Sequence, residues 1–332
     1  MDIGTNLVNE IFNSSSDFDK ICLKVFRFQY EHNSVYKKYV DALKIDVATI
    51  TELSKIPFLP IRFFKTHNIK ATTFEPEVTF ESSGTTETIN SRHYVKSKKI
   101  YEQSFLSAFE HFYGSPDEWC VLGLLPSYLE RQHSSLVYMV EELVHRSRHE
   151  KSGFYLYDFE KLYESLQALE QAGQKTLLIG VTFGLLDFVE QHRLPLQHTV
   201  VMETGGMKGR RKEMIRQEVH DILKDAFAIK EVHSEYGMTE LLSQAYSKGN
   251  GLFKTPAWMR VVLRDEEDPL TLKAAAVTGS TRGLINVIDL ANIYSCSFIA
   301  TDDLGVLHGN GQFEVTGRMD HSDLRGCSLL AL

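Results

Sequence analysis

Short apolar runs alternating with helical patterns constrain this chain more than any other feature of its sequence. "EVTFESS", "EWCVLGLLP", "QKTLLIGVTF", "QHTVVMETGG" and "AIKEVHSEYG" have the length and composition of strands. Between them lie helical patterns such as "KIYEQSFLSAFEHFY", "HSSLVYMVEELVHRSR" and "RRKEMIRQEVHDILKDAF". Strands and helices in alternation imply an α/β fold with a largely parallel sheet flanked by helices. Ahead of this body, "DKICLKVFRFQYEHNSVYKKYVDAL" places Ile21, Cys22, Val25, Phe26 and Phe28 on one apolar stripe, the mark of short helices packed on something larger. From Trp258 the helical patterns stop, and "WMRVVLRD", "GLINVIDLA", "YSCSFIATDDLG" and "QFEVTGRMD" predict a small β unit. The expected organisation is a helical lead-in and α/β body over 1–257, a β-rich subdomain over 258–318 and a tail over 319–332.

A chain of 332 residues, 43% hydrophobic and 24% charged, can bury a sizeable core. Its 36 basic and 44 acidic side chains leave a net charge of −8, which argues against a nucleic-acid or anionic-membrane partner. No apolar segment is long enough to span a bilayer and no basic n-region precedes an apolar stretch at the N-terminus, so a cytoplasmic location is expected. Cys22, Cys120, Cys296 and Cys327 are widely separated, and neither a disulfide framework nor a structural metal site follows from their spacing.

Four segments carry chemistry. In "FESSGTTETINSRH", Ser82, Ser83, Gly84, Thr85 and Thr86 form a loop whose hydroxyls and backbone N–H groups suit phosphate oxygens, without the lysine of a P-loop. In "HSEYGMTEL", Tyr236, Gly237, Thr239 and Glu240 supply a ring for a base, a donor for a phosphate and an oxygen ligand for Mg²⁺. "IATDDLG" presents Asp303, and "VTGRMD" presents Arg318, a carboxylate and a guanidinium suited to ribose and phosphate. Each segment alone is equally consistent with an ordinary turn.

Together, and in this order over roughly residues 60 to 320, they resemble the adenylate-forming superfamily of acyl-CoA synthetases, luciferases and peptide-synthetase adenylation domains. "SSGTT" is similar to its phosphate loop, "YGMTE" to its aromatic-Gly-x-Thr-Glu motif, Asp303 to its ribose aspartate and "GRMD" to its Gly-Arg-x-Asp. "ETGG", with Gly205 and Gly206, is similar to the segment lining the adenine pocket. The resemblance implies ATP and Mg²⁺ as cofactors, with Glu240 as the metal ligand and Thr239 beside it. The chain departs from the superfamily at two places. No lysine follows the phosphate loop, which leaves Arg92 or His93 to supply positive charge, and the mobile C-terminal domain is expected to be missing, since 12 residues follow Asp320.

"LLPSYLERQHSSLVYMV" and "GRMDHSDLRGCS" narrow the resemblance to the acyl-protein synthetases of bacterial luminescence fatty acid reductase. For that family Cys327 stands where a cysteine accepts the acyl group and passes it to an acyl reductase. The resemblance therefore implies activation of a fatty acid, a thioester on Cys327 and delivery to a partner protein. Two alternatives stand beside it: a ligase passing the adenylate directly to CoA or a carrier-protein thiol, and a non-catalytic nucleotide-binding protein. Tyr128, Phe183 and Phe188 are candidates for an acyl or aryl pocket, and His233 is either a pocket residue or a structural one.

Overall fold

In the computed structural model, which describes residues 3–13, 17–82, 89–125, 133–205, 214–274, 276 and 278–319, one thirteen-stranded sheet runs through the molecule. Its parallel half consists of Gly153–Phe154, Cys120–Leu124, Thr176–Gly180, Thr199–Glu203 and His233–Tyr236, in that spatial order. Every residue of Cys120–Leu124 and Thr176–Gly180 is buried. Because side chains alternate across a strand, these two strands feed two separate cores. Val121, Leu177 and Ile179 face one core with helices Lys98–Tyr113 and Ser135–Ser147. Leu122, Leu124 and Leu178 face the other with helices Phe159–Gln171, Thr182–Gln191 and Arg216–Phe227. A sheet covered on both sides explains why the sequence runs are apolar throughout.

After Tyr236 the sheet turns antiparallel. Ala245–Ser247 pairs with His233–Tyr236, and the sheet continues through Phe253–Lys254, Phe313–Arg318, Phe298–His308, Ser280–Asp289, Met259–Arg264 and Leu272–Lys273. Leu59–Pro60 adds a short parallel strand beside Phe298–His308. The β-rich stretch after Trp258 thus extends the same sheet that the α/β body begins.

Three local features differ from the sequence expectation. Val78–Glu81 lies outside the main sheet and pairs antiparallel with Arg92–Val95, because the two segments close a hairpin and Phe80 packs on the rings of Tyr101 and Tyr138. The apolar run ending "IGVTF" stops being a strand at Gly180, and Thr182 already belongs to a helix. A side chain on Gly180 would press on Leu185 at 2.9 Å and on the Leu124 carbonyl at 3.1 Å, so glycine lets these neighbours pack closely where the strand ends. Cys296 precedes its strand, which begins at Phe298, and is nonetheless fully buried.

Helices Ile3–Ile11, Phe18–His32 and Ser34–Ala42 pack on the β-rich half. Asn33 joins the last two: its Oδ1 accepts from the Val35 and Tyr36 N–H groups, capping the second helix, while its Nδ2 donates to the Ser295 carbonyl at 2.8 Å. Gln29, fully buried, donates to the carbonyls of Asn292 and Ile293 and accepts from the Ser297 N–H at 3.0 Å. Gln29→Ala would strand these backbone groups, and a loss of about 3 kcal/mol is expected. Urea unfolding should show it as a lowered midpoint at constant slope, and an unchanged midpoint would refute the anchoring role.

Candidate active site

A cleft of about 790 Å³ opens where the sheet passes from parallel to antiparallel, at the carboxyl ends of Thr199–Glu203 and His233–Tyr236. Ser82, Gly205, Tyr236, Gly237, Thr239, Glu240, Asp303 and Arg318, all singled out from the sequence, line it together. They arrive from five parts of the chain, so the sheet topology, not sequence proximity, assembles them. Ser83, Gly84, Thr85, Thr86, Gly206 and Cys327 lie outside the described residues.

On one side of the cleft Tyr236 stands edge-on to Phe253 and Phe313, and its hydroxyl donates to Asp303 Oδ2 at 2.9 Å. Burial, reinforced by the Asp303 charge, pushes that phenol well above its ordinary pKa, so it stays a neutral donor. Asp303 and Arg318 are opposite one another in neighbouring strands, and the guanidinium Nε comes within 3.8 Å of Asp303 Oδ1. Arg62 pairs with Asp302 at 3.6 Å, and Arg216 lies over the Phe253 ring while donating to the Val315 carbonyl. A carboxylate held between a phenol and a guanidinium, with further cations nearby, suits a polyhydroxylated and anionic ligand.

The turn carrying Thr239 and Glu240 is held from behind by buried side chains. Asp289 Oδ2 accepts from the Leu242 and Ser243 N–H groups at 2.7 and 3.1 Å, and its Oδ1 from the Ser243 hydroxyl. Burial raises the Asp289 carboxyl to about 6 despite these donors, which leaves it ionised at neutral pH. Asn292 donates to the Glu240 carbonyl at 2.7 Å, and His93 Nδ1 lies 2.8 Å from the Thr239 carbonyl. The turn therefore presents its side chains to the cleft from a fixed backbone.

Family assignment rests on the whole chain. The family model described as "Acyl-protein synthetase, LuxE" matches residues 12–331. The chain belongs to this family. Membership makes it an acid-activating ligase. A relative from Aliivibrio fischeri, the long-chain-fatty-acid–luciferin-component ligase, is 21% identical over 338 residues, covering 94% of this chain and 86% of the relative. Among solved structures, 2-hydroxyisobutyryl-CoA ligase in the postadenylation state, in complex with R3-HIB-AMP, is similar with a TM-score of 0.60 at 12% identity, over 91% of this chain and 68% of that one. ATP-bound MatB from Rhodopseudomonas palustris is similar with a TM-score of 0.53 at 16% identity, over 75% of this chain and 50% of MatB. The chain thus spans about half the length of MatB, and at these identities the likeness is one of fold.

Several residues of this acyl-protein synthetase family member stand elsewhere than the sequence suggested. His93 is fully buried behind the Thr239 turn, and burial lowers its pKa to about 4, so it offers no charge to the cleft. Arg92 is exposed and pairs with Glu81. Among the described residues the cations lining the cleft are Arg62, Lys65, Arg216 and Arg318. Phe183 and Phe188 belong to the cores, and apolar contact in the cleft comes instead from Ile61, Ile89, Leu136, Met139 and Val315. Tyr128 lies outside the described residues. His233 faces the Tyr113 hydroxyl at 3.1 Å and is structural. Cys22, Cys120 and Cys296 are buried, and desolvation pushes their thiols up, Cys120 to about 11 and Cys296 to about 12, so all three are inert packing.

Two carboxylates of this family member, Glu203 of "ETGG" and Glu235 of "EYGMTE", were given no role of their own by sequence reasoning. Glu203 accepts from the Thr182 and Ser234 hydroxyls with His220 at 3.6 Å; burial alone would raise its pKa, and His220, Thr182 and Arg216 outweigh it and hold the acid below its ordinary value. Glu235 accepts from the Thr204 hydroxyl, and burial, helped by the Glu203 charge, pushes it up to about 7. Only the position of Glu235 inside "EYGMTE" signalled it. A raised folded-state pKa means that the fold binds the proton more tightly than the unfolded chain does. The contribution is present below the ordinary glutamate pKa and is lost as pH rises through about 7. Glu235→Gln should therefore flatten the stability profile between pH 5 and 8 by on the order of 3 kcal/mol, read as urea midpoints at both pH values. Parallel profiles for variant and wild type would contradict the assignment.

Proposed function

We propose that the chain activates a carboxylic acid with ATP, retains the acyl group as a thioester on Cys327 and delivers it to a partner such as an acyl reductase. The observation that carries this reading is the convergence of eight motif residues on one cleft, in a chain of the acyl-protein synthetase family. In the first half-reaction the acid's carboxylate attacks the α-phosphorus, the bond to the β-phosphate bridging oxygen breaks, and pyrophosphate leaves. Tyr236 flanks the base, Asp303 receives the ribose hydroxyls beside Arg318, and Ser82 and Thr239 face the phosphates. Hydrogen-bond donors fixed in advance, as the Thr239 turn is, stabilise charge that develops on those oxygens.

Among the described residues no cluster of three His, Cys, Asp or Glu side chains forms a protein-built metal cage. Mg²⁺ needs none, because it is held largely by substrate phosphates and water with one or two carboxylates. The buried Glu240 side chain in the cleft fits that requirement. Mg²⁺ held there would supply charge neutralisation on the leaving phosphates.

In the second half-reaction the Cys327 sulfur attacks the acyl carbonyl carbon of the mixed anhydride. The carbon–oxygen bond to phosphate breaks, AMP leaves with the electron pair, and the thiol proton passes to solvent. Arg318 lines the cleft, and nine residues separate it from Cys327, a reach of up to about 30 Å at ~3.4 Å per residue. Among the described residues no helix is long and apolar enough to cross a membrane.

Pyrophosphate exchange and intact mass separate the two halves. Cys327→Ala should keep acid-dependent ATP–pyrophosphate exchange and lose the stable acyl adduct. Persistence of the adduct removes Cys327 as acceptor, and thioester formation on added CoA by this variant would favour direct transfer to CoA. Glu240→Gln should lower the exchange rate by roughly 10²-fold, as expected when transition-state charge loses a positioned partner. A change confined to KM would place Glu240 in uniform binding instead.

A further inference from the structure

Tyr236 and Glu235 are consecutive residues of one strand, so their side chains leave it on opposite faces. Tyr236 is opposite Ala245 and turns toward Asp303, whereas Glu235 is opposite Tyr246, with Gln244 two residues earlier on that same face. The second face is covered by Tyr101 of helix Lys98–Tyr113, whose hydroxyl donates to the Ser135 carbonyl at 3.0 Å. Leu136 and Met139 of helix Ser135–Ser147 complete the cleft wall there. Ribose- and phosphate-type partners gather around Tyr236, which leaves the Glu235 face to the acid.

This face holds buried hydrogen-bonding atoms that lack a partner among the described residues. Gln244 is 4% exposed, lines the cleft, and its Oε1 has no hydrogen-bond partner among the described residues. The Tyr246 hydroxyl, a donor as well as an acceptor, also has no partner among the described residues. Glu235 spends one oxygen on the Thr204 hydroxyl; the other, Oε1, lies over the Cα of Gly237, where any side chain would collide with it. Gly237 therefore leaves room for this oxygen of a carboxylate that lines the cleft. Buried polar atoms are normally satisfied, and a plain alkyl chain would seal these two acceptors away from water with nothing to bond them. Such a wall accepts a chain along Leu136 and Met139 only if the chain brings a donor of its own.

We propose that the acid activated here carries a hydroxyl or amine on its chain, received by Glu235 Oε1 and Gln244 Oε1 on the strand face opposite Tyr236. The inference rests on the acid-activation reading and narrows its substrate from an unadorned fatty acid to one bearing a hydrogen-bond donor. A site built to bond such a group discriminates strongly against the analogue lacking it, because its acceptors are then left unpaired.

The test is ATP–pyrophosphate exchange at pH 8 with matched acids: butanoate, 3-hydroxybutanoate and 3-aminobutanoate, then tetradecanoate and 3-hydroxytetradecanoate. The donor-bearing member of a set should exceed its plain counterpart in kcat/KM by roughly 10²-fold. Gln244→Met, of similar volume, should bring that ratio close to one. Glu235→Gln separates the two donors: it should cost an amino acid substrate roughly 10²-fold and a hydroxy acid less than tenfold, since the amide still accepts but carries no charge. Circular dichroism and urea midpoints at pH 8 confirm that each variant is folded. Exchange with plain acids equal to or faster than with their substituted partners, or a ratio that survives both substitutions, overturns the inference and leaves acid activation standing. Absence of exchange with every acid overturns both.

Discussion

The buried carboxylate of Asp289 carries more of the site than any residue inside the cleft. By collecting the Leu242 and Ser243 N–H groups and the Ser243 hydroxyl, it pins the turn that follows Tyr236 to the antiparallel half of the sheet. Asn292 and His93 hold the two carbonyls of Thr239 and Glu240 from the same side. The turn has no regular secondary structure of its own, so without these contacts its backbone groups would need water and its side chains would have no fixed direction. Three side chains from two distant segments thus convert a short irregular stretch into a rigid platform.

The change of strand direction has a second effect. In the parallel half, strand ends all point the same way and leave a crevice at their carboxyl edge. The antiparallel half brings Asp302, Asp303 and Arg318 back to that crevice by way of Phe298–His308 and Phe313–Arg318. The N-terminal helices, fastened by Gln29 and Asn33 to residues 292–297, brace the same corner from outside. Lead-in, body and β-rich stretch therefore share one mechanical frame.

What the sequence made legible was contiguous chemistry. "YGMTE" and "GRMD" place several donors and charges within a few residues, and strand–helix alternation is a pattern that physics writes directly into hydropathy. The hairpin partner Arg92–Val95 was not legible because it is short and polar, and its pairing with Val78–Glu81 is a tertiary fact. Arg62, Lys65 and Arg216 look like any surface cation until the fold sets them along the cleft. His93 shows the opposite failure: a histidine beside a phosphate-like loop suggests charge, yet complete burial leaves it neutral and structural. Glu235 and Gln244 stood in full view, but a carboxylate on one face of a strand gives no sign of which face that is.

That last ambiguity has an evolutionary corollary. Tyr236 and Glu235 divide the cleft because they are one residue apart, and a slip of one residue in this strand would exchange their faces. Insertions and deletions are consequently barred between His233 and Gly237, whereas substitution at Glu235 or Gln244 leaves the Tyr236 face untouched. On the proposed reading, a lineage built on this scaffold can change its diet without relearning how to use its fuel.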